Sequence, residues 1–227
     1  MVTNFSTTPG SRTGSGTEAH PAAENDLDSV LSVLSAESAS SDATLTELHR
    51  RLEARAAQDG LLDIAYTTID SPVGMLLLAA TARGLVRVAF DVEGHDQVLE
   101  RLGTKLSPRI LRAPRRLDRV ARELDEYFAG SRQTFDLELD YSMSEGFRQL
   151  VQRHLPTIKY GSTQSYKTVA ELVGNPRAVR AVGTACATNP LPLVVPCHRV
   201  LRADGSLGGY IGGLTAKSTL LALESAK

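Results

Sequence analysis

The spacing of apolar residues changes character several times along the chain, and each change predicts a different kind of element. Residues 1–25 are rich in Ser, Thr, Gly and Ala and carry almost no large apolar side chains. Burial there cannot offset the entropy of ordering, so this stretch is expected to be a disordered tail. Leu27, Val30, Leu31 and Leu34 then fall at helical spacing, as do Leu45, Leu48 and Leu52 ahead of an Asp59-Gly60 stop. Residues 26–60 are thus expected to be a helical extension, docked on the body of the protein or on an unidentified partner.

From Leu61 the period shortens. Runs rich in β-formers at 62–68, 74–80 and 85–90 are separated by the turn signals Ser71-Pro72 and Ala82-Arg83-Gly84, which predicts an antiparallel meander. Two helical stretches follow, HDQVLERLG and LDRVARELDEYFAG, the second with Leu117, Val120, Ala121, Leu124 and Phe128 on one face. Residues 61–143 are read as a small α+β domain.

Residues 144–227 are read as a second domain, helical and then tightly punctuated. Phe147, Leu150, Val151 and Leu155 support one helix, and a second runs from about Tyr166 to Val173 and stops at Gly174. Asn175-Pro176 is expected to supply the N-cap and first-turn proline of a third, at about 177–187. Two short helices joined in this way form a helix-turn-helix candidate. Pro192 and Pro196 bracket Leu193-Val194-Val195, expected to be a short buried extended segment ending at Cys197. A last helix carries Lys217, Leu220, Leu221 and Glu224, where a glutamate near a chain end is by default a solvated charge.

Composition narrows the class. In 227 residues, 42% of them hydrophobic, no run approaches the roughly eighteen apolar residues of a membrane-spanning helix. The only two cysteines, Cys186 and Cys197, form no CxxC pair, so neither a disulfide framework nor a structural zinc site is expected, and a reducing cytoplasm fits best. The net charge of -1 conceals an asymmetry. Residues 1–60 carry four arginines against nine Asp and Glu, residues 61–144 eleven basic against thirteen acidic, and residues 145–227 ten basic against four acidic. A basic final third on an otherwise acidic chain is what contact with a polyanion through that third requires.

Candidate chemistry centres on VVPCHRV, residues 194–200. The cationic or potentially cationic His198 and Arg199 beside the Cys197 thiol are expected to favour the thiolate. Neighbours on an extended chain face opposite ways, so His198 is expected to reach the sulfur through a water. Gly208, Gly209, Gly212 and Gly213 fall within six residues, a density that lets backbone approach a ligand or bend sharply. Cys186 is read as a small helix-packing residue.

Taken together, NPLPLVVPCHRVLRADGSLGGYIGGLTAKSTLLALE at 189–224 resembles the signature of the O6-alkylguanine-DNA alkyltransferases, and GSTQSYKTVAELVGNPRAVRAVGTA at 161–185 resembles their helix-turn-helix. The likeness extends more loosely back to about Leu61, through LDEYFAG and FDLELD. It implies an α+β fold in which a ribonuclease-H-like α/β domain precedes a winged-helix-like, helix-turn-helix DNA-binding domain. It also implies a stoichiometric DNA repair reaction: Cys197 takes the alkyl group from O6-methylguanine, and from O4-methylthymine, and keeps it. His198, a water and Glu224 would relay the thiol proton, and Asn189 would brace the turn. Tyr166 and the carbonyls of Cys197 and Val200 would hold the base, Tyr210 would wall the pocket, and Arg180 would enter the stack that the flipped nucleotide leaves. Arg199 is grouped with the residues that meet DNA. The resemblance implies no cofactor and no metal, a monomer, double-stranded DNA as partner and no membrane. Lys159 and Ile211 depart from the family pattern. A non-catalytic lesion binder and a methylation-responsive regulator are the alternatives.

Overall fold

The structure, a computed structural model, describes residues 44–56 and 58–225. The expectations for residues 1–25 and for a helix around Leu27–Leu34 fall outside that range. Residues 44–56 are helical, designated α1, with Leu45, Leu48 and Leu52 exposed.

The predicted meander forms as β1 (Ile64–Ile69), β2 (Leu76–Thr81) and β3 (Gly84–Phe90), antiparallel in sequence order. A short β4 (Ile110–Arg112) adds parallel to β1, giving the order β3-β2-β1-β4. Three residues cannot display a readable alternation, so β4 was not legible in the sequence. The central strand β2 is apolar from Leu76 to Ala80 because both of its faces are covered. Leu76 and Leu78 point into the main core with Leu117, Val120, Leu124 and Tyr127, several of them from α3 (Asp118–Phe128). Leu77 and Ala79 point the opposite way, onto Val98 and Leu102 of α2 (His95–Lys105). At the β2–β3 turn Gly84 takes φ +125°, and a side chain there would overlap the Glu138 carbonyl. That close approach lets Leu85 N–H bond Glu138 O and Asp140 N–H bond Leu85 O, both at 2.8 Å.

The second half is helical: α4 (Gly146–His154), α5 (Tyr166–Leu172), α6 (Val179–Ala187) and α7 (Gly213–Ser225), with β5 (Gln164–Ser165) pairing parallel with β6 (Val200–Leu201). Ser165 caps α5 through the Thr168 N–H at 3.0 Å, and Gly174 ends it at φ +79°. The third helix begins later than expected. Asn175 and Pro176 lie in the turn rather than at the cap: Ala178 N–H bonds Asn175 O at 2.9 Å, and α6 starts at Val179. The Asn-Pro pair is used as a turn, and the Asn175 N–H bonds Ala170 O at 2.9 Å, closing the end of α5. Residues 50–227 form one compact unit, in which α4, α6 and the segment after α6 share the main core with the sheet.

Candidate active site

After α6 the chain is buried at every position from Asn189 to Val200. It is not extended, contrary to expectation. Prolines at 190, 192 and 196 remove donors and restrict φ, so the segment closes on itself: Val195 N–H bonds Leu191 O and Cys197 N–H bonds Val195 O, each at 2.8 Å, with Leu193 at φ +74°. Cys197–Arg199 is a single 3-10 turn. Asn189 braces this coil from within. Its Oδ1 accepts the Leu191 N–H at 3.0 Å, while its Nδ2 donates to Val195 O at 2.8 Å and to Cys197 Sγ at 3.2 Å.

On the other side of the turn, His198 Nε2 donates to Glu224 Oε1 at 2.9 Å. Glu224 is only 3% exposed, so the default reading of a solvated charge is corrected. Its carboxylate also accepts from Arg199 Nε and Nη2, both at 2.9 Å, from the Tyr127 hydroxyl at 2.7 Å and from the Gly161 N–H at 3.3 Å. Burial alone would raise its pKa, but the bonds from His198, Arg199 and Tyr127 overcome it and hold the carboxyl down at about 2. Burial pushes the His198 pKa down, so the imidazole is neutral with its proton on Nε2. Its Nδ1 is buried and accepts no hydrogen bond among the described residues.

Two sequence expectations change here. Arg199, grouped from the sequence with the residues that meet DNA, is turned inward. It is 5% exposed, two of its nitrogens are on Glu224, and Nη1 is on Ile158 O at 2.6 Å. Nor is the thiolate favoured at rest, since burial pushes the Cys197 thiol up to about 11 against the opposing pull of Asn189 and Lys217. The sequence places a cation two residues from the sulfur, but the fold neutralises it on Glu224.

The cation that does act on the sulfur is Lys217, which was read from the sequence only as part of α7. It is fully buried, and its Nζ donates to Val200 O at 2.7 Å. The signal was available: Lys217, Leu220 and Glu224 fall at i, i+3 and i+7 on one helical face, and all three are buried. Tyr127 was also missed, being 97 residues from Glu224 in sequence. Tyr166, half-buried at the start of α5, lies against Gly208 so closely that a methyl group there would strike its hydroxyl. Burial pushes the Tyr166 phenol up to about 12, which keeps it a donor. The Tyr210 ring meets Phe90 edge-on at 5.5 Å and His198 at 6.3 Å. Phe90 in turn fills the space where a Gly212 side chain would stand, 2.7 Å from its ideal Cβ. Arg180 is exposed in the first turn of α6, apart from this cluster, and Ile211 packs against the main core. Cys186 is buried on α6 in the main core.

A ribonuclease-like sheet layer joined to a helix-turn-helix, with a buried thiol, imidazole and carboxylate at their junction, defines a DNA-directed protein built around one cysteine. Residues 64–141 match the ribonuclease-like domain of 6-O-methylguanine DNA methyltransferase, and residues 146–226 match its DNA-binding domain. A methylated-DNA–protein-cysteine methyltransferase of Mycolicibacterium paratuberculosis is 47% identical over 163 residues, covering 71% of this chain and 92% of that protein. The constitutive enzyme of that name from Bacillus subtilis is 37% identical, covering 70% and 94%. The crystal structure of Mycobacterium tuberculosis O6-methylguanine methyltransferase superposes with a TM-score of 0.64 at 38% identity, covering 72% of this chain and 93% of that one. The same protein in complex with DNA gives 0.63 at 38% identity, covering 71% and 93%. The chain belongs to the 6-O-methylguanine DNA methyltransferase family.

Proposed function

We propose that this protein repairs DNA by moving the alkyl group from O6 of guanine, and from O4 of thymine, onto Cys197 in a single, irreversible turnover. The observation that carries the reading is the pair of buried hydrogen bonds Asn189–Cys197 and His198–Glu224 on either side of one turn, with His198 Nδ1 left as a buried acceptor in the turn that bears the sulfur. A thiol with a pKa of about 11 is ionised to only about one part in ten thousand at neutral pH, so a base is needed to generate the nucleophile. His198 Nδ1 takes the thiol proton through a water, and Glu224 stabilises the imidazolium that results. The sulfur then attacks the alkyl carbon; the C–S bond forms as the C–O6 bond breaks, and the electron pair departs with the guanine. The Tyr166 hydroxyl donates toward the base and offsets that developing charge. The carbonyls of Cys197 and Val200 read the base edge, the latter fixed by Lys217 and keeping a second lone pair. Asn189 orients the sulfur, and Tyr210 walls the pocket.

O6 lies inside the stacked duplex, so the nucleotide must be extruded at an unstacking cost of a few kcal/mol. The exposed Arg180 on α6 is assigned to fill the gap. The basic residues of 145–227 supply sequence-independent attraction to double-stranded DNA. The alkyl group stays on the sulfur as a thioether, and the reaction consumes no separate methyl donor. Retention of Cys197, His198 and Glu224 together argues against a non-catalytic lesion binder, and with only two cysteines the chain lacks the zinc-type cysteine cluster that a methylation-responsive regulator of this family would use. We take residues 61–143 and 144–227 to act as two domains of a cytoplasmic monomer, a reading supported by the cysteine usage. Among the described residues no helix is long and apolar enough to cross a membrane. Intact-mass measurement after incubation with duplex DNA containing O6-methylguanine tests the function. One added methyl group on the peptide bearing Cys197 is expected, and an active, folded preparation without the adduct would refute it.

A further inference from the structure

One donor to the relay comes from outside the DNA-binding half. Tyr127, on α3 of the ribonuclease-like layer, gives its hydroxyl to Glu224 Oε1 at 2.7 Å, the same oxygen that accepts from His198 Nε2 and Arg199 Nη2. The ring has no room to turn. It is fully buried and packed against Phe128, Phe135 and Tyr160, with centroids at 5.4, 5.4 and 6.1 Å. Burial first and the neighbouring carboxylate second keep the phenol protonated, so it is a permanent donor.

We propose that Tyr127 is a positioning residue that limits how much of the Glu224 charge acts on His198, and thereby sets the pH above which His198 can receive the thiol proton. The inference rests on the relay argued above. A carboxylate oxygen that serves three donors offers each of them less charge than one serving two. Were Glu224 to act more strongly on the imidazole, His198 would be protonated at neutral pH, and its Nδ1 would be a donor instead of the acceptor the thiol needs. The groups facing His198 are Glu224 and Lys217 from α7, Cys197 and Arg199 from its own turn, and Tyr210. Those facing Glu224 are His198, Arg199, Tyr127, Tyr160, Tyr210 and the Gly161 N–H. Arg199 and Lys217 each hold a backbone carbonyl as well, so changing them disturbs the turn or the base edge. Among the described residues the Tyr127 hydroxyl hydrogen-bonds the Glu224 carboxylate and no backbone carbonyl. The rival explanation is that a buried tyrosine simply needs a partner for its O–H, and the two differ in what they predict for pH dependence.

The test uses the full chain. Single-turnover alkyl transfer from duplex DNA containing O6-methylguanine is followed from pH about 5 to about 9, while His198 is titrated by NMR on ring-labelled histidine. In Tyr127→Phe the acid limb of the rate profile and the His198 titration are expected to move together to higher pH, by on the order of half a unit, with the plateau rate within about threefold of wild type. Site-specific 3-fluorotyrosine at position 127 keeps the ring and strengthens the donor, so both should move to lower pH. This second variant carries the test if the phenylalanine variant does not fold. An acid limb and His198 titration unmoved in the variants, or a rate loss equal at every pH, would overturn the role of Tyr127. Wild-type protein that transfers no alkyl group, or whose rate lacks a His198-linked limb, would instead overturn the relay itself.

Discussion

The Cys197 sulfur is bonded by the Asn189 amide and feels the charge of the Lys217 ammonium, and single substitutions separate their contributions. Cys197→Ala removes the acceptor and is expected to abolish transfer while leaving binding of the lesion intact, as a gel-shift with alkylated duplex would register. Lys217→Met deletes a buried cation that acts on the sulfur and frees the Val200 carbonyl. Transfer should slow at least about tenfold, and the alkaline limb of thiol reactivity toward a small alkylating agent should move to higher pH. Cys197, His198 and Asn189 were legible because the block around the cysteine is compact in sequence. Arg199 was misread for the reason that Tyr127 was missed: a charge two residues away in sequence is neutralised by Glu224 from 25 residues on, and Glu224 is itself held by a donor 97 residues back.

At the scale of elements, the same backbone rules that shape the strands and helices say where they are fragile. Gly84 combines φ +125° with direct contact to the Glu138 backbone. Gly84→Ala should lower stability by about 2 kcal/mol or more without altering the relay, seen as a lower Tm with an unchanged transfer rate for the protein that remains folded. On α6, Arg180→Ala should reduce the transfer rate on duplex substrate far more than it reduces affinity for unmodified DNA, because extrusion and not phosphate attraction depends on it. The periodicities announced the meander, α3, α5 and α7. They could not announce β4, which is too short, or the start of α6, which a turn over Asn175–Ala178 delays to Val179. The coil around Pro192 was taken for a strand because alternation and local closure look alike over three apolar residues.

For the whole molecule, burial of the relay makes stability depend on pH in one direction. The His198 pKa is depressed by burial, so below the unfolded value near 6.5 the unfolded chain binds the proton more readily, and stability falls. The Glu224 pKa is also depressed, to about 2, so its contribution is full above the ordinary carboxylate range and is lost as pH falls toward that value. Acid denaturation should therefore begin below about pH 6.5 and steepen below about pH 4.5, and urea titrations at stepped pH check it. Glu224→Gln should flatten the lower part of that profile. A chain beginning at Arg50 keeps the compact unit and both family-matched regions, and should transfer alkyl groups like the full chain in a mass assay.

From the sequence by itself came the class of elements, the helix-turn-helix, the basic final third and the cysteine proposed as nucleophile. Each of these is written in local spacing or in composition, which neighbouring residues decide together. The tertiary structure alone decided which charges meet: that Arg199 turns inward, that Lys217 and not Arg199 acts on the sulfur, and that Tyr127 reaches Glu224 from the other layer. Protonation state depends on burial and on partners a few ångströms away in space, and no one-dimensional pattern carries that distance.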